Sequence, residues 1–169
     1  MKRQKESVSI GPPLECHLAS FQELIEKLAS EPLHLTAIDP PGAEILRKAV
    51  QNHIADCLPL VTAVTQDKVI GWCAIAPHHK PGFTHTGALG IGLLPNYRRV
   101  GIGSLLFNSA LEKAQKMQLT RIELEVLSSN TSAISFYRKH DFIIEGCKVK
   151  ARMYEGIYDD VIIMARMLS

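Results

Sequence analysis

Two arginines and two glycines share the stretch Tyr97-Arg98-Arg99-Val100-Gly101-Ile102-Gly103-Ser104, and nowhere else in the chain do residue type and spacing suggest chemistry so directly. An apolar run from His85 to Leu94, closed by Pro95, precedes it. After it, Phe107, Ala110, Leu111, Ala114 and Met117 fall on one helical face, with Asn108, Glu112 and Lys116 on another. The stretch therefore lies where a strand becomes a helix. A helix start offers unpaired backbone N–H groups and the positive end of the macrodipole. Glycine lets a ligand approach that backbone closely, and arginine adds fixed positive charge. Together these describe a cradle for phosphate; the plain alternative is a strand-to-helix turn with solvated arginines. The dinucleotide pattern G-x-G-x-x-G fails, because Leu106 stands where its third glycine is needed. The P-loop fails too, since no Gly-Lys-Ser/Thr follows.

The elements that must position this stretch follow from periodicity and punctuation. Ser7 to Ile10 reads as a short strand ended by Gly11-Pro12-Pro13. Phe21, Leu24, Ile25 and Leu28 recur at helical spacing behind Ser20 as an N-cap. A second helix spans Ala43 to Cys57. Leu60 to Thr65 and Val69 to Ala76 read as a hairpin about Gln66-Asp67-Lys68, and His78 to Gly82 as a loop. Arg121 to Leu127 alternates Ile122, Leu124 and Val126 against Arg121, Glu123 and Glu125, as a strand does. Ser132 to His140 is helical, and two strands, Phe142 to Met153 and Tyr158 to Met167, turn near Glu155-Gly156. The strands before and after the cradle helix must be parallel, whereas the rest can be hairpins. The expectation is an α/β fold in one domain, residues 1–169. Its central sheet is mixed and mostly antiparallel, flanked by helices, with a parallel pair splaying to leave a ligand cleft.

Composition narrows the partners. The chain has 169 residues, 46% hydrophobic and 21% charged, which suits a globular domain and argues against disorder. A net charge of +2 gives no reason to expect nucleic acid or an anionic membrane surface. The apolar runs are too short to span a bilayer, and Gly11-Pro12-Pro13 interrupts any signal-peptide core, so a cytoplasmic protein is expected. Cys16, Cys57, Cys73 and Cys147 form no C-x-x-C pair, which suits reduced, mostly buried thiols and no metal site. The adjacent His78 and His79 read as loop residues, because neighbours in sequence do not converge on a metal.

Arg98, Gly101 and Gly103 form R-x-x-G-x-G, which resembles the acyl-CoA pyrophosphate loop of the GNAT superfamily of N-acyltransferases. A second stretch, Asn130 to Gly146, is similar to the family's second motif through Asn130, Ala133, Phe136, Tyr137, Phe142 and Gly146. Asp141 stands where the family usually has glycine, and aspartate tolerates left-handed geometry better than most residues. Gly156, Tyr158, Asp160 and Met164 match G-x-Y-x-D-x-x-x-M, which resembles the phosphinothricin and amino-acid N-acetyltransferase branch. The resemblance covers roughly Val69 to Leu168 and leaves the N-terminal part unmatched.

It implies transfer of an acetyl group from acetyl-CoA, the cosubstrate, to a primary amine of a small molecule, with no metal. By the resemblance, Arg98, Arg99, Val100, Gly101, Ile102, Gly103 and Ser104 hold the pyrophosphate. Leu93 and Leu94 pair with the pantetheine arm, and an N–H there steadies the thioester oxygen. Asn130 bonds the same arm, and Tyr137 protonates the departing thiolate. The read of Tyr137 from spacing alone is a packed core aromatic.

The branch often carries a glutamate base on the strand before the cradle, where this chain has Ala88. Substitutes are His85, since histidine titrates near neutrality, and Glu125 on the neighbouring strand. His85 also reads as a solvated loop residue and Glu125 as a partner for a surface lysine, and a water chain or an already neutral amine needs neither. Two other readings remain: a protein N-terminal or lysine acetyltransferase, and a non-catalytic acyl-CoA-binding module. The acceptor, a homodimer and acyl groups other than acetyl stay open.

Overall fold

A computed structural model describes residues 7–31, 42–56 and 58–168, the side chains of 54–56 excepted. Among them seven strands form one sheet in the order β1-β2-β3-β4-β5-β7-β6. The strands are β1 (Ser9–Gly11), β2 (Leu60–Thr65), β3 (Lys68–Pro77), β4 (Thr86–Leu93), β5 (Arg121–Leu127), β6 (Ile143–Tyr154) and β7 (Ile157–Met167). The helices are α1 (Leu18–Ala29), α2 (Ala43–Asp56), α3 (Ile102–Lys116) and α4 (Thr131–Lys139). Every pairing is antiparallel except β4 with β5, which are joined through α3 as expected.

That parallel pair is short. Thr86 faces Arg121, Gly87 faces Ile122 and Ala88 faces Glu123. Beyond Ala88 the two strands part, although β4 runs on to Leu93 and β5 to Leu127. The splay read from the sequence is present.

Two apolar layers cover the sheet. On one side α3 buries Ile102, Leu106, Phe107, Ala110 and Ala114 against Val61, Cys73, Ile75, Ile122 and Leu124. Phe107 is wholly buried and meets the rings of Phe136, Phe142 and His140. On the other side α1 lays Phe21, Leu24, Ile25 and Leu28 against Leu46, Val50, Leu60 and Val69. Met117 departs from the expected α3 face: it follows the helix end and is exposed.

Several local expectations need correction. Ser20 does not cap α1, because a 3-10 turn over Glu15–His17 runs straight into the helix and puts His17 at the cap. The Ser20 hydroxyl instead donates to the His17 carbonyl (3.1 Å) and accepts from the Val69 N–H (3.2 Å), tying α1 to β3. The fourth helix starts at Thr131, since Asn130 is the cap. Of the cysteines only Cys73 is buried; Cys16 and Cys147 are exposed, and Cys57 lies outside the described residues. Asp141 does adopt a left-handed φ of 62°, in the turn that glycine would otherwise make. No helix among the described residues is long and apolar enough to cross a membrane.

Two histidines make the fold sensitive to acid. Burial, reinforced by Lys113, lowers the pKa of His53. Burial, then Arg166 and Lys139, lowers that of His140. The unfolded chain therefore binds more protons than the folded one near the ordinary histidine value of about 6.5. Stability rises with pH across that window and is lost as pH falls through it. We expect the thermal midpoint to drop between pH 7.5 and 5.5, and the drop to shrink in His53→Gln; an unchanged pH slope in that variant would contradict the assignment.

Candidate active site

The parting of β4 from β5 opens a cleft of about 450 Å³. Its floor is β4 at Ile91, Gly92 and Leu93; α1 contributes Leu28 at one side. The walls are the start of α3, through Gly101, Gly103 and Ser104, and a stripe of α4.

At the α3 end the backbone supplies the donors. Gly101 is the cap residue at φ +94°, a conformation that side-chain-bearing residues rarely adopt, and no described side chain caps the helix. The first helical bonds come from the Ser104 and Leu105 N–H groups, both to the Gly101 carbonyl. The N–H groups of Ile102 and Gly103 precede them and have no helical acceptor. The Ile102 side chain is buried in the core, so only its backbone faces the ligand side. Val100 is exposed and does not line the cleft.

The arginines separate. Arg99 is exposed at the cleft, with φ 62°. Arg98 also lines it, but its fork is occupied: both terminal nitrogens bond Glu31 at 3.0 Å, and Nε donates to the Leu93 carbonyl at 2.8 Å. The expected phosphate ligand Arg98 is thus already paired with a carboxylate, because α1 ends beside it. A cation missed by sequence reasoning, Lys139, lines the cleft from α4. So do Ser132, Ser135 and Phe136. Positions 132, 135/136 and 139 recur at helical spacing, which was the signal for that stripe.

The Leu93–Leu94 expectation changes by one residue. The Leu94 N–H donates to the Ile70 carbonyl (2.9 Å), and the His78 N–H donates to the Thr86 carbonyl (3.0 Å). Antiparallel bonding alternates, so Thr86, Ala88, Gly90 and Gly92 exchange bonds with β3. The N–H groups of Ile91 and Leu93 point the other way, into the gap where β5 has left. Leu94 is not a free donor; Leu93 and Ile91 are placed to be.

Asn130 is nearly buried and caps α4, its side-chain carbonyl accepting from the Ala133 N–H at 3.1 Å. Its amide N–H groups are left for a ligand. Nearly two helical turns on, Tyr137 is 8% exposed and packs edge-on to Phe136 and against Phe142. Burial, chiefly, pushes its pKa up, so the phenol stays protonated. The Trp72 ring lies over β4, where Cβ atoms on Gly90 and Gly92 would come within 2.7 and 2.8 Å of it. Its indole N–H is buried beside Gly92 with no hydrogen-bond partner among the described residues.

Neither expected base lines the cleft. His85 is exposed just before β4, and the chemistry is at the opposite end of that strand. Six residues separate it from Ile91, roughly 20 Å along a strand, which removes it from reach. Glu125 is exposed and its carboxylate holds Lys148 of β6. What the sequence did not reveal is that His78 Nε2 meets Glu123 Oε1 at 3.2 Å.

Comparison with known proteins agrees with this geometry. Residues 22–142 match the acetyltransferase (GNAT) family. The L-amino acid N-acetyltransferase AaaT of Escherichia coli K12 is 32% identical over 109 residues, covering 64% of this chain and 67% of that protein. A GNAT-family acetyltransferase from Streptococcus pneumoniae superposes with TM-score 0.87 at 24% identity, covering 96% of this chain and 100% of that one. A phosphinothricin acetyltransferase from Sinorhizobium meliloti, solved in complex with acetyl-CoA, gives TM-score 0.85 at 18% identity, covering 95% and 88%.

A side chain at Gly103 would enter between the α3 start and α4, its Cβ 3.4 Å from the Phe136 ring. We expect Gly103→Val to weaken CoA binding at least about tenfold, or ~1.4 kcal/mol, with the thermal midpoint retained. Calorimetry showing unchanged affinity would mean that the cradle is misassigned.

Proposed function

We propose that this chain, which belongs to the acetyltransferase (GNAT) family, moves the acetyl group of acetyl-CoA to a primary amine of an amino acid or similar small molecule. The observation that carries the reading is the buried, protonated phenol of Tyr137 on the cleft that begins at the uncapped start of α3. The relative that is an L-amino acid N-acetyltransferase supports the substrate class. The structural neighbour solved with acetyl-CoA supports the cosubstrate.

The residues fit that cosubstrate. Free N–H groups at Ile102 and Gly103, the exposed Arg99 and the α4 cation Lys139 suit a pyrophosphate. The Asn130 amide suits a carbonyl of a peptide-like arm. Acetyl-CoA supplies an activated thioester; the chain's task is to orient it, steady charge and move protons. The outward N–H of Leu93 or Ile91 steadies the negative charge that develops on the thioester oxygen, in a site from which β5 has withdrawn. As the amine's nitrogen bonds the carbonyl carbon and releases a proton to water, the C–S bond breaks. The Tyr137 hydroxyl then gives its proton to sulfur. Burial keeps the phenol protonated, so the proton is present when the thiolate leaves.

Screening amino acids, polyamines and peptides for CoA release tests the reading; peptides alone as acceptors would favour a protein acetyltransferase, and no acceptor a binding module. Tyr137→Phe keeps the ring contacts with Phe136 and Phe142. We expect its kcat to fall about 10²–10⁴-fold with CoA affinity nearly unchanged. Wild-type turnover in that variant would remove Tyr137 from the mechanism.

A further inference from the structure

We infer that His140 is a positioning residue for the cosubstrate: it holds the Ser104 hydroxyl at the start of α3 so that this hydroxyl donates to the pyrophosphate. This rests on the acetyltransferase reading. Ser104 lines the cleft and carries the one hydroxyl between Arg98 and Ser104. Its N–H already bonds the Gly101 carbonyl at 3.1 Å, so the side chain is what remains for a ligand. That hydroxyl meets His140 Nε2 at 3.0 Å. His140 is not among the residues of the cleft wall, so it acts through Ser104 rather than on the ligand. Its ring and backbone are both held. Phe107 and Phe136 pack against the ring at centroid distances of 4.7 and 4.6 Å. The His140 N–H reaches the Phe136 and Tyr137 carbonyls at the end of α4, and Arg166 Nη1 of β7 donates to its carbonyl at 3.0 Å. Packing alone needs only an apolar ring at this position. The polar contact to Ser104 is what packing does not explain.

The direction of the hydrogen bond depends on what fills the cleft. A hydroxyl has one hydrogen to give and two lone pairs to receive with. Phosphate oxygens only accept, so a bound pyrophosphate draws the Ser104 hydrogen to itself. His140 Nε2 must then donate to the Ser104 oxygen. Binding therefore selects a ring that carries a proton on Nε2, either as that neutral tautomer or as the imidazolium.

This makes affinity depend on pH. The charged groups around the ring are Arg166 from β7, Lys139 before it on α4 and Asp141 after it, while α3 contributes the uncharged Ser104 and Phe107. In the free chain burial, then Arg166 and Lys139, hold the ring's pKa down against the opposing pull of Asp141. A bound pyrophosphate brings negative charge to the far side of Ser104 and requires Nε2 to donate, and both favour the imidazolium. The complex then binds more protons than the free chain. The gain in affinity is full below the free chain's pKa and is lost as pH rises through the raised pKa of the complex.

Dephospho-CoA is the probe, because it keeps the pyrophosphate and lacks the ribose phosphate, which itself titrates near pH ~6. Its affinity is measured by calorimetry from about pH 5.5 to 8, across the histidine range, with thermal midpoints alongside. The proteins are wild type, Ser104→Ala, His140→Phe, His140→Gln and the double variant Ser104→Ala/His140→Phe. We expect Ser104→Ala and His140→Phe each to lose about tenfold in affinity, the worth of one hydrogen bond to a charged group. The double variant should lose no more than the larger single loss, because His140 acts through Ser104. His140→Gln puts an amide N–H near the Nε2 position without a titrating group. It should keep near wild-type affinity at about pH 7.5, where the ring is neutral, and should lack the wild-type weakening as pH rises. Losses that multiply in the double variant, wild-type affinity in Ser104→Ala, or an unchanged pH slope in His140→Gln overturns the inference. Ser104→Ala and the His140→Gln slope decide it even where His140→Phe does not fold. A wild type that binds neither CoA nor dephospho-CoA overturns the acetyltransferase reading instead.

Discussion

The separation of β4 from β5 after the Ala88–Glu123 pair is the constraint on which the rest of the structure depends. A sheet that parts in its middle exposes backbone donors and acceptors, and such groups must find partners. Here they are left facing a cleft, so the gap is costly unless a ligand with its own amide-like groups fills it. Everything around the gap keeps it open. Helix α3 packs five buried side chains onto the sheet and so anchors its own N-terminus at the mouth. Helix α4 cannot slide into the gap, because Asn130 caps it and Phe136, Tyr137, Phe107 and Phe142 interlock behind it.

The glycines of β4 belong to the same constraint. Gly90 and Gly92 give up side chains so that Trp72 can lie flat on the strand, where a Cβ would otherwise collide with the indole. The aromatic ring then replaces the missing bulk on one face while the opposite edge of β4 stays bare. A ligand can therefore approach the main chain itself rather than a fringe of side chains. That is a stiffer arrangement than a loop, since β3 still holds every second residue of β4 by hydrogen bonds.

Much of this was legible in the sequence. The period-two run of Arg121 to Leu127, the glycine-arginine cluster and the helical stripe at Phe107 fixed strand, cradle and helix in order. The parallel pair followed, because a helix between two neighbouring strands leaves no other simple connection. Side-chain partners did not follow. Arg98 was read as a phosphate ligand because local sequence cannot show that α1 would end with Glu31 beside it. His85 was read as a base because proximity in sequence to Ala88 looked like proximity to the chemistry. A strand that points its carboxyl end at the cleft makes the earlier residue the more distant one. His78 looked like a loop residue, and only the folded sheet reveals that its ring reaches the Glu123 carboxylate of β5.

The Arg98–Glu31 pair shows how position and energy part company. Both side chains are half-buried, at 30% and 23% exposure. An ion pair so placed gives up hydration that its Coulomb attraction only partly returns, so it adds little net stability. Its geometry is the informative part. The bidentate fork fixes the guanidinium plane, and Nε then bonds the Leu93 carbonyl on the open edge of β4. With that carbonyl satisfied, the group left to offer on the edge of β4 at Leu93 is its N–H. The salt bridge thus couples the end of α1 to the donor side of the cleft. An arginine that appears in sequence as a phosphate ligand is, in the folded chain, part of what makes the neighbouring backbone a binding surface.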